Sequence, residues 1–398
     1  MSSTPFATNG MRPPSCRFHT LAGFIAGALL LFETPLLAEK FSESPPPITM
    51  PLSTTSKPSA HSSQNTGSSA WEQMPSYPRT RGVAGILAGE HRGVLIAAGG
   101  ANFPDLPPWE GGKKAYYDDI YVLLPGAKEW QAAGHLPESR GYSAVVSLPE
   151  GVLLIGGENA ARVFSDSLWL RWQGDRVEGT PGPSLPAATT SPVAAVLDGS
   201  VYVAAGYTDG TPRLSRSAFW RWDPRRPTEG WIELPPWPGP SRGMAVMAEA
   251  AGGLYLFSGG ELALTAEGKP QLTYLLDAYR YQADSGWEKL ADMPHSALAA
   301  PSPAPVSPDG KRIFLLGGVD NRLVGKQPRD TRVPDGILVF DVTTGKWHES
   351  AERWPDPVVT TPAVKMGEHW VFISGEIMAG VRTPHVWCWR IAEEGRTP

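Results

Sequence analysis

Short apolar runs recur along the chain, and each run leads into a glycine. The glycines that end the six units are Gly100, Gly157, Gly206, Gly260, Gly318 and Gly375. Successive units are therefore 49 to 58 residues apart. The chain is dense in glycine and proline and shows no sustained 3.6-residue periodicity, which predicts an all-β fold made of many short strands.

The segment after each glycine completes a unit of four strands. A variable loop leads to an aromatic strand, such as residues 119–122 or 337–340, and a tryptophan usually follows on the next strand. These tryptophans are Trp130, Trp231, Trp287 and Trp347. An apolar residue followed by proline then closes the unit, as in Leu136-Pro137. A repeat of about 50 residues is that of kelch propeller blades, so the sequence predicts a six-bladed kelch-type β-propeller.

The number of closing strands indicates how the ring is joined. Six glycine units are present, but the chain ends soon after residues 387–391, before a closing strand for the sixth unit. Residues 70–75 carry the closing pattern and precede the first unit. We therefore expect the N-terminal strand to pair in the last blade, which removes the free edge of the ring.

The N-terminal region predicts export. An apolar run from Leu21 to Phe32 follows Arg12 and Arg17, and a plausible cleavage point follows Ala38. The run is too short for a membrane span, so residues 1–38 are interpreted as a signal peptide that leaves no membrane-inserted segment. Residues 39–69 are rich in serine and proline and predict a flexible linker. Residues 70–398 form the propeller, which we expect to be periplasmic or secreted.

Charge and cysteine content narrow the possible partners. The net charge of −5 becomes about −6 without the signal peptide, which argues against nucleic acid or anionic lipid as a partner. Cys16 leaves with the signal peptide, so Cys388 remains alone and no intrachain disulfide or thiol metal site is expected. The histidines lack metal-like spacing, and no phosphate-binding loop is present. The sequence leaves the oligomeric state open.

Three short Ser/Thr-Arg-Gly motifs, the arginine phrases, suggest a binding face. Thr80-Arg81-Gly82, Ser139-Arg140-Gly141 and Ser241-Arg242-Gly243 each precede an apolar strand. Equivalent positions of a propeller lie on one ring, so we expect Arg81, Arg140 and Arg242 near the axis. They would form a positive funnel suited to a small carboxylated ligand. The alternative is that these arginines cap loops or pair with carboxylates between blades.

The glycine that ends a unit usually belongs to a Gly-Gly pair, the diglycine position. Three glutamates directly follow these unit-ending glycines on the same predicted face. Glu158, Glu261 and Glu376 are equivalent by the repeat, and pairing with a neighbouring blade is the alternative role for each. Glu376 differs because Arg382 lies in the same short loop. A carboxylate beside a guanidinium stays ionised near neutral pH and can act as a general base.

Several segments resemble the bacterial sialic acid mutarotases, also called N-acetylneuraminate epimerases. The carrying segments are residues 82–85, 98–104, 109–114, 118–120 and 375–383. The resemblance covers roughly residues 70–391, and the Glu376 loop is its most telling part. The glycine-rich segment comes first here and the Glu376 loop last, which resembles the cyclically permuted branch of the family.

The resemblance implies an activity and residues that carry it out. The implied reaction interconverts the α and β anomers of N-acetylneuraminate, with Glu376 as the catalytic glutamate and Arg382 as its partner. Arg382, helped by Arg140 or Arg242, would hold the sugar carboxylate, Arg81 lies in the same expected funnel, and Asn102 would hydrogen-bond a hydroxyl or the N-acetyl group. No cofactor is expected. The alternative is a non-catalytic propeller that binds glycan or protein.

Overall fold

The computed structural model describes residues 70–326 and 331–392 of the 398-residue chain. The predicted signal peptide (1–38) and linker (39–69) lie outside the described residues and stay predictions. Within the described ranges, the helices are three short 3-10 segments, Pro108–Glu110, Pro227–Glu229 and Asn321–Leu323. In these same ranges no helix has the length and apolar character needed to cross a membrane. The all-β prediction is confirmed.

Antiparallel sheets succeed one another along the chain and form the six predicted blades. From the axis outward, the strands of blade 1 are Leu87–His91, Val94–Ala98, Asp119–Leu123 and Gln131–His135, and those of blade 2 are Ala144–Leu148, Gly151–Ile155, Ser167–Trp172 and Val177–Pro181. Blade 3 has Val193–Leu197, Ser200–Ala204, Phe219–Trp222 and Ile232–Glu233, and blade 4 has Val246–Ala250, Gly253–Phe257, Ala278–Gln282 and Gly286–Lys289. Blade 5 has Arg312–Leu316, Ile337–Asp341 and Lys346–Glu349, and blade 6 has Ala363–Met366, His369–Ile373, Val386–Arg390 and Trp71–Met74.

Small two-stranded hairpins extend three of the blades. They pair Ala101–Asn102 with Ala115–Tyr116 after blade 1's second strand, Gly260–Leu264 with Pro270–Tyr274 in blade 4, and Glu376–Met378 with Val381–Arg382 in blade 6. Each hairpin follows the second strand of its blade. The three hairpins therefore lie on the face of the propeller where the second strands end.

Blade 5 departs from the predicted four regular strands. Its innermost position is held by a short segment in which the carbonyl of Pro305 accepts a hydrogen bond from the Phe314 N–H. Val306 also forms an isolated bridge with Ile313. Proline has no N–H to give to a ladder, so Pro303 and Pro305 leave this edge with partial pairing only.

The N-terminal strand closes the ring as predicted. Trp71–Met74 pairs antiparallel with Val386–Arg390, so the outer strand of blade 6 comes from the opposite end of the described chain. Trp71 also stacks on Trp389 with ring centroids 5.1 Å apart and on Trp354 at 6.1 Å. Aromatic packing of this kind adds to the backbone pairing that holds the two ends together.

A closed ring of backbone hydrogen bonds surrounds the axis. Each blade gives one residue, and its N–H donates to the carbonyl of the equivalent residue in the preceding blade, at 2.7–3.2 Å. The six residues are Gly85, Tyr142, Ser191, Met244, Ala299 and Thr360, with φ between 51° and 61°. Six donors meet six acceptors, so this axial ring fixes both the number of blades and their register.

The predicted tryptophans join neighbouring blades. The indole N–H of Trp130 donates to the carbonyl of Pro75, and Trp287 donates in the same way to Pro235. Trp231 and Trp347 form the corresponding bonds to carbonyls of the blade before them. Each of these tryptophans therefore donates to a carbonyl just after the outer strand of the preceding blade, and for Trp130 and Trp287 that carbonyl belongs to the proline of the closing apolar-Pro pair.

Cys388 lies half-buried in blade 6, opposite Glu72 and Val371. Burial, with a smaller effect of Glu72, raises the pKa of its thiol to about 11. Only the thiolate reacts, so at pH 8 iodoacetamide should modify the folded protein about 100-fold more slowly than the denatured protein. A Cys16→Ser variant isolates this thiol, and mass spectrometry over time measures its labelling. Equal rates in the two states would contradict the burial.

Candidate functional site

The axial ring corrects the alignment of the arginine phrases. Arg140 and Arg242 each lie two residues before their ring residues, Tyr142 and Met244. The residue two before Gly85 is Val83, so Arg81 stands two residues further upstream and is exposed. The arginine phrase in blade 1 has the same residue types as the other two, but it lies two residues further from its axial-ring residue. Its predicted equivalence is therefore wrong.

Arg140 and Arg242 point away from the axis. Arg242 is fully buried, and it pairs with Asp277 through Nη1–Oδ1 and Nη2–Oδ2 contacts of 2.9 and 2.7 Å. Arg140 pairs with Asp166. Both aspartates directly precede the third strand of their blade, which is two strands away from the axis. The expected position of these arginines near the axis is wrong: each pairs with a carboxylate, as in the alternative, but with one in the blade whose first strand it precedes and not between blades.

Arg79 plays the corresponding part in blade 1. It pairs with Asp119 and lies over the Tyr117 ring at 3.4 Å from its centroid. The carbonyl of Asp119 accepts from Gly99, as that of Asp166 does from Gly156, so the two aspartates are equivalent. The recurring aspartate at the start of the third strand is the sequence signal that identifies these ion pairs.

The cavity on the axis is not the positive funnel that was expected. It is lined by small and apolar residues on the inner strands, including Ala144, Val193, Ala245 and Ala300. No charged side chain is among its described lining residues. The candidate functional side chains are therefore those on the face of the propeller that carries the loops after the diglycine turns, outside this cavity.

The residue after the diglycine turn has a fixed place on that face. In each blade it forms an isolated bridge with the residue that precedes the axial ring. The six equivalent residues are Ala101, Glu158, Tyr207, Gly260, Val319 and Glu376. In blade 4 the turn with positive φ is Ser258-Gly259, so Glu261 falls one residue too late. The predicted equivalence of Glu261 is wrong, whereas that of Glu158 and Glu376 is confirmed.

Glu376 and Arg382 face each other in the blade 6 hairpin, as their shared loop suggested. Oε2 of Glu376 lies 3.1 Å from Nη2 of Arg382, and Oε1 accepts a hydrogen bond of 2.6 Å from the Gly380 N–H. Each of the two side chains is only 3% exposed. Gly380, with φ of +78°, makes the tight turn that directs its N–H to the carboxylate.

The guanidinium of Arg382 has two donor nitrogens that Glu376 does not use. Its Nε and Nη1 are buried and have no hydrogen-bond partner among the described residues. The guanidinium carbon lies 4.8 Å from the centroid of the Phe103 ring, which covers one side. A buried donor without an acceptor costs about 1–3 kcal/mol, more when it is charged. Nε and Nη1 donate on different edges of the guanidinium, so each can bind an anionic ligand in a two-donor fork together with the second hydrogen of Nη2.

Asn102 supports the backbone next to this site through two hydrogen bonds. Its Nδ2 donates to the Gly82 carbonyl at 2.8 Å, and its Oδ1 accepts from the Tyr117 hydroxyl at 2.7 Å. A Cβ on Gly82 would lie 2.2 Å from the Thr383 carbonyl oxygen, so this position requires glycine. Asn102 is buried, and its amide holds Gly82 against the residue next to Arg382. We assign it to the scaffold of the site.

A second buried cluster surrounds Glu158, which is 1% exposed. Its carboxylate pairs with Arg213, accepts a 2.5 Å hydrogen bond from the Tyr116 hydroxyl, and lies 3.7 Å from the Lys114 ammonium. Burial and the nearby Glu158 raise the pKa of Tyr116, so its phenol keeps the proton that it donates. The repeat pattern does not single out Lys114, Tyr116 or Arg213, because all three lie in the segments of variable length that join the second and third strands of a blade. Lys114 ends one of the segments that carried the family resemblance.

The fold and this face define a six-bladed kelch-type propeller with a buried Glu–Arg pair beside its axis. A family model described as N-acetylneuraminate epimerase matches residues 52–178. The N-acetylneuraminate epimerase of Vibrio cholerae is 38% identical over 107 residues, 24% of this chain and 27% of that protein. That of Haemophilus influenzae is 37% identical over 102 residues, 22% of this chain and 27% of that protein. The predicted resemblance to this family is confirmed for that part of the chain.

A solved structure agrees at the level of the fold. The structure titled "Structure of YjhT" has a TM-score of 0.57 and 15% identity, and the match covers 78% of this chain and 94% of the other. The chain spans about a quarter of the length of the sequence relatives it matches. The segment 52–178 includes blade 1 and most of blade 2. The Glu376 hairpin lies outside it, so the roles given to that hairpin rest on its own geometry.

Proposed function

We propose that this protein is an exported mutarotase that interconverts the α and β anomers of N-acetylneuraminate. The observation that carries the proposal is the buried Arg382, whose Nε and Nη1 lack partners in the described structure and lie beside the Glu376 carboxylate. This combination provides a carboxylate-binding fork next to a base. The names of the relatives support the choice of sugar acid, and the predicted signal peptide supports export.

In the proposed mechanism, Arg382 binds the sugar carboxylate through one of its unmatched nitrogens together with Nη2. Glu376 takes the proton of the anomeric hydroxyl as the bond between the anomeric carbon and the ring oxygen breaks, and the ring oxygen is protonated. The open-chain keto acid rotates about the bond between its keto carbon C2 and C3, which turns the other face of the carbonyl toward the ring-closing hydroxyl. The ring closes on the other face by the reverse proton transfers, so nothing is consumed and no redox step occurs.

Rigid placement of the carboxylate is part of this mechanism. Gly380 and Arg382 each hold one oxygen of Glu376 and leave each oxygen a further lone pair to accept a proton. Gly380 is itself backed by another blade, since a Cβ there would lie 2.6 Å from Pro108 and 3.0 Å from Trp109. The base therefore has little freedom to turn away from the ligand.

Arg382→Lys tests the carboxylate fork. Lysine keeps the positive charge and loses the planar pair of donors, so the dissociation constant for N-acetylneuraminate should rise about tenfold or more. Calorimetry measures the affinity, and Arg332→Lys is the matched control because Arg332 is exposed and only its backbone meets the hairpin, opposite Met378. Unchanged affinity in Arg382→Lys would show that the carboxylate binds elsewhere.

A further inference from the structure

A loop of blade 1, residues 103–112, lies against the blade 6 hairpin that carries the buried ion pair. At the start of the loop, the Phe103 ring covers the Arg382 guanidinium, 4.8 Å from its carbon. Further along, the Trp109 ring lies against Gly380, where a Cβ would come within 3.0 Å of the indole Cζ3. The Gly380 N–H in turn donates to the carboxylate of the pair. This blade 1 loop therefore borders both partners of the ion pair.

The backbone of the blade 1 loop fixes its shape. The carbonyl of Pro107 accepts hydrogen bonds from the N–H groups of Glu110 and Gly112, at 3.0 and 3.1 Å. A Cβ on Gly112 would lie 1.7 Å from the carbonyl oxygen of Leu106, so the two arms of the loop touch. Three prolines restrict the backbone further. The loop therefore presents its side chains in a fixed arrangement and has little conformational entropy to lose when a ligand binds.

This fixed loop leaves two large apolar side chains open to water. Trp109 is 44% exposed and Leu106 is 49% exposed. The other exposed large apolar side chains of the described ranges, Ile232, Leu264 and Val324, each come from a different segment of the chain. Single exposed apolar residues are common on protein surfaces, whereas neighbouring ones at the edge of a cleft mark a binding surface. The pair on the blade 1 loop, beside the buried ion pair, is of the second kind.

The proposed substrate has one group that suits an apolar surface. Its carboxylate and hydroxyls need polar partners when they leave water, whereas the methyl of its acetamido group gains from burial. The carboxylate and the anomeric hydroxyl share one ring carbon, so Arg382 and Glu376 together hold that carbon. The acetamido group stands on the opposite side of the sugar ring and extends away from the ion pair. The exposed side chains that border the pair can then receive its methyl.

We propose that Trp109 and Leu106 form the surface that binds the acetamido methyl group of the sugar acid whose carboxylate Arg382 holds. This inference rests on the proposed function for the position of the carboxylate. The indole covers the methyl and excludes water from it, and Leu106 extends the same surface. A hydroxyl in place of the acetamido group would lose water against the indole and gain no hydrogen-bond partner from it. Trp109 is therefore the residue that selects an N-acetylated sugar acid.

Trp109→Ala tests this contact with two ligands that differ only in that group. One is N-acetylneuraminate, and the other, the hydroxyl analogue, is the same sugar acid with a hydroxyl in place of the acetamido group. Wild type should bind N-acetylneuraminate about tenfold more tightly, the lower end of what one methyl-sized group contributes in an apolar site. In Trp109→Ala, the dissociation constant for N-acetylneuraminate should rise about tenfold, and that for the hydroxyl analogue should stay within about twofold. Calorimetry measures all four constants.

Three further variants keep the test decisive. Trp109→Phe retains an aromatic ring and should keep most of the preference for the acetamido group, and Leu106→Ala should reduce it by a smaller factor than Trp109→Ala does. Ile232→Ala removes an exposed apolar side chain from the outer strand of blade 3 and should bind both ligands as wild type does. Equal losses for both ligands in Trp109→Ala would show that the indole only supports the Gly380 turn. That result, or a wild-type protein without the preference, would overturn the contact.

The outcomes also separate this inference from the proposed activity. Wild-type protein that binds the sugar without speeding anomer exchange refutes the mutarotase proposal, and the comparison of the two ligands still decides the role of Trp109. Wild-type protein that speeds anomer exchange but binds both ligands equally refutes the methyl contact alone. Wild-type protein that binds neither ligand refutes both.

Discussion

Replacing Glu376 with glutamine should lower the rate of anomer exchange by about 10²–10⁴-fold, the usual contribution of a general base. The amide has nearly the shape of the carboxylate and can still accept the Gly380 N–H, so the hairpin should keep its geometry. The dissociation constant for N-acetylneuraminate should change little, because Arg382 holds the carboxylate. Exchange spectroscopy by NMR measures the rate, and calorimetry measures the affinity.

Two other glutamates provide controls for that experiment. Glu261→Gln should leave exchange unchanged, because Glu261 lies one residue out of register with Glu376 and its carboxylate accepts a long, 3.4 Å hydrogen bond from the Ser241 hydroxyl. Glu158→Gln should also leave exchange close to the wild-type rate, because the Glu158 carboxylate is enclosed by Arg213 and the Tyr116 hydroxyl. If Glu376→Gln exchanges anomers at the wild-type rate while Glu158→Gln does not, Glu158 is the base.

Substituting Arg242 with methionine should lower the free energy of unfolding by about 3–5 kcal/mol, the usual cost of removing one partner of a buried ion pair. Arg242 is fully buried, and Asp277 would be left with its charge largely shielded from water and unpaired. The loss should appear in denaturant unfolding monitored by tryptophan fluorescence. The folded fraction of the variant should bind the sugar acid as wild type does, because the guanidinium points away from the axis.

Arg81→Met is the matched control for the arginine phrase. Arg81 stands in the same three-letter motif and is exposed, so its substitution should change the unfolding free energy by no more than about 0.5 kcal/mol. The opposite pattern would contradict the assigned positions: an Arg242→Met protein of normal stability with weakened binding would place that guanidinium at the ligand.

The sequence pattern is sufficient to predict the architecture because the blades of a propeller repeat the same unit. Apolar strands that end at glycines recur in each unit, and a tryptophan that donates to the preceding blade recurs in four of them. Ring closure by Trp71–Met74 followed from counting closing strands. The pairing of Glu376 with Arg382 could also be predicted, since only five residues of a tight hairpin lie between them.

Register and side-chain direction could not be read from the same signals. The phrase around Arg81 has the letters of the Arg140 phrase, yet the axial hydrogen bonds place Val83 at the equivalent position. The outward direction of Arg242 depends on Asp277, which is remote in sequence and can be recognised only after the third strand of each blade has been located. Lys114 and Arg213 come from loops that differ in every blade, so only their convergence on Glu158 reveals them.

The most direct test of the proposed mutarotase is the NMR time course of anomer exchange with wild-type protein. The α anomer of N-acetylneuraminate, freshly released by a sialidase that is then removed, starts away from equilibrium. With catalytic amounts of this protein, the α signal should decay to the equilibrium mixture faster than in buffer, at a rate proportional to protein concentration, and Glu376→Gln should return it close to the buffer rate. Decay at the buffer rate in the presence of wild-type protein that binds the sugar would contradict the assignment and leave a binding propeller in its place.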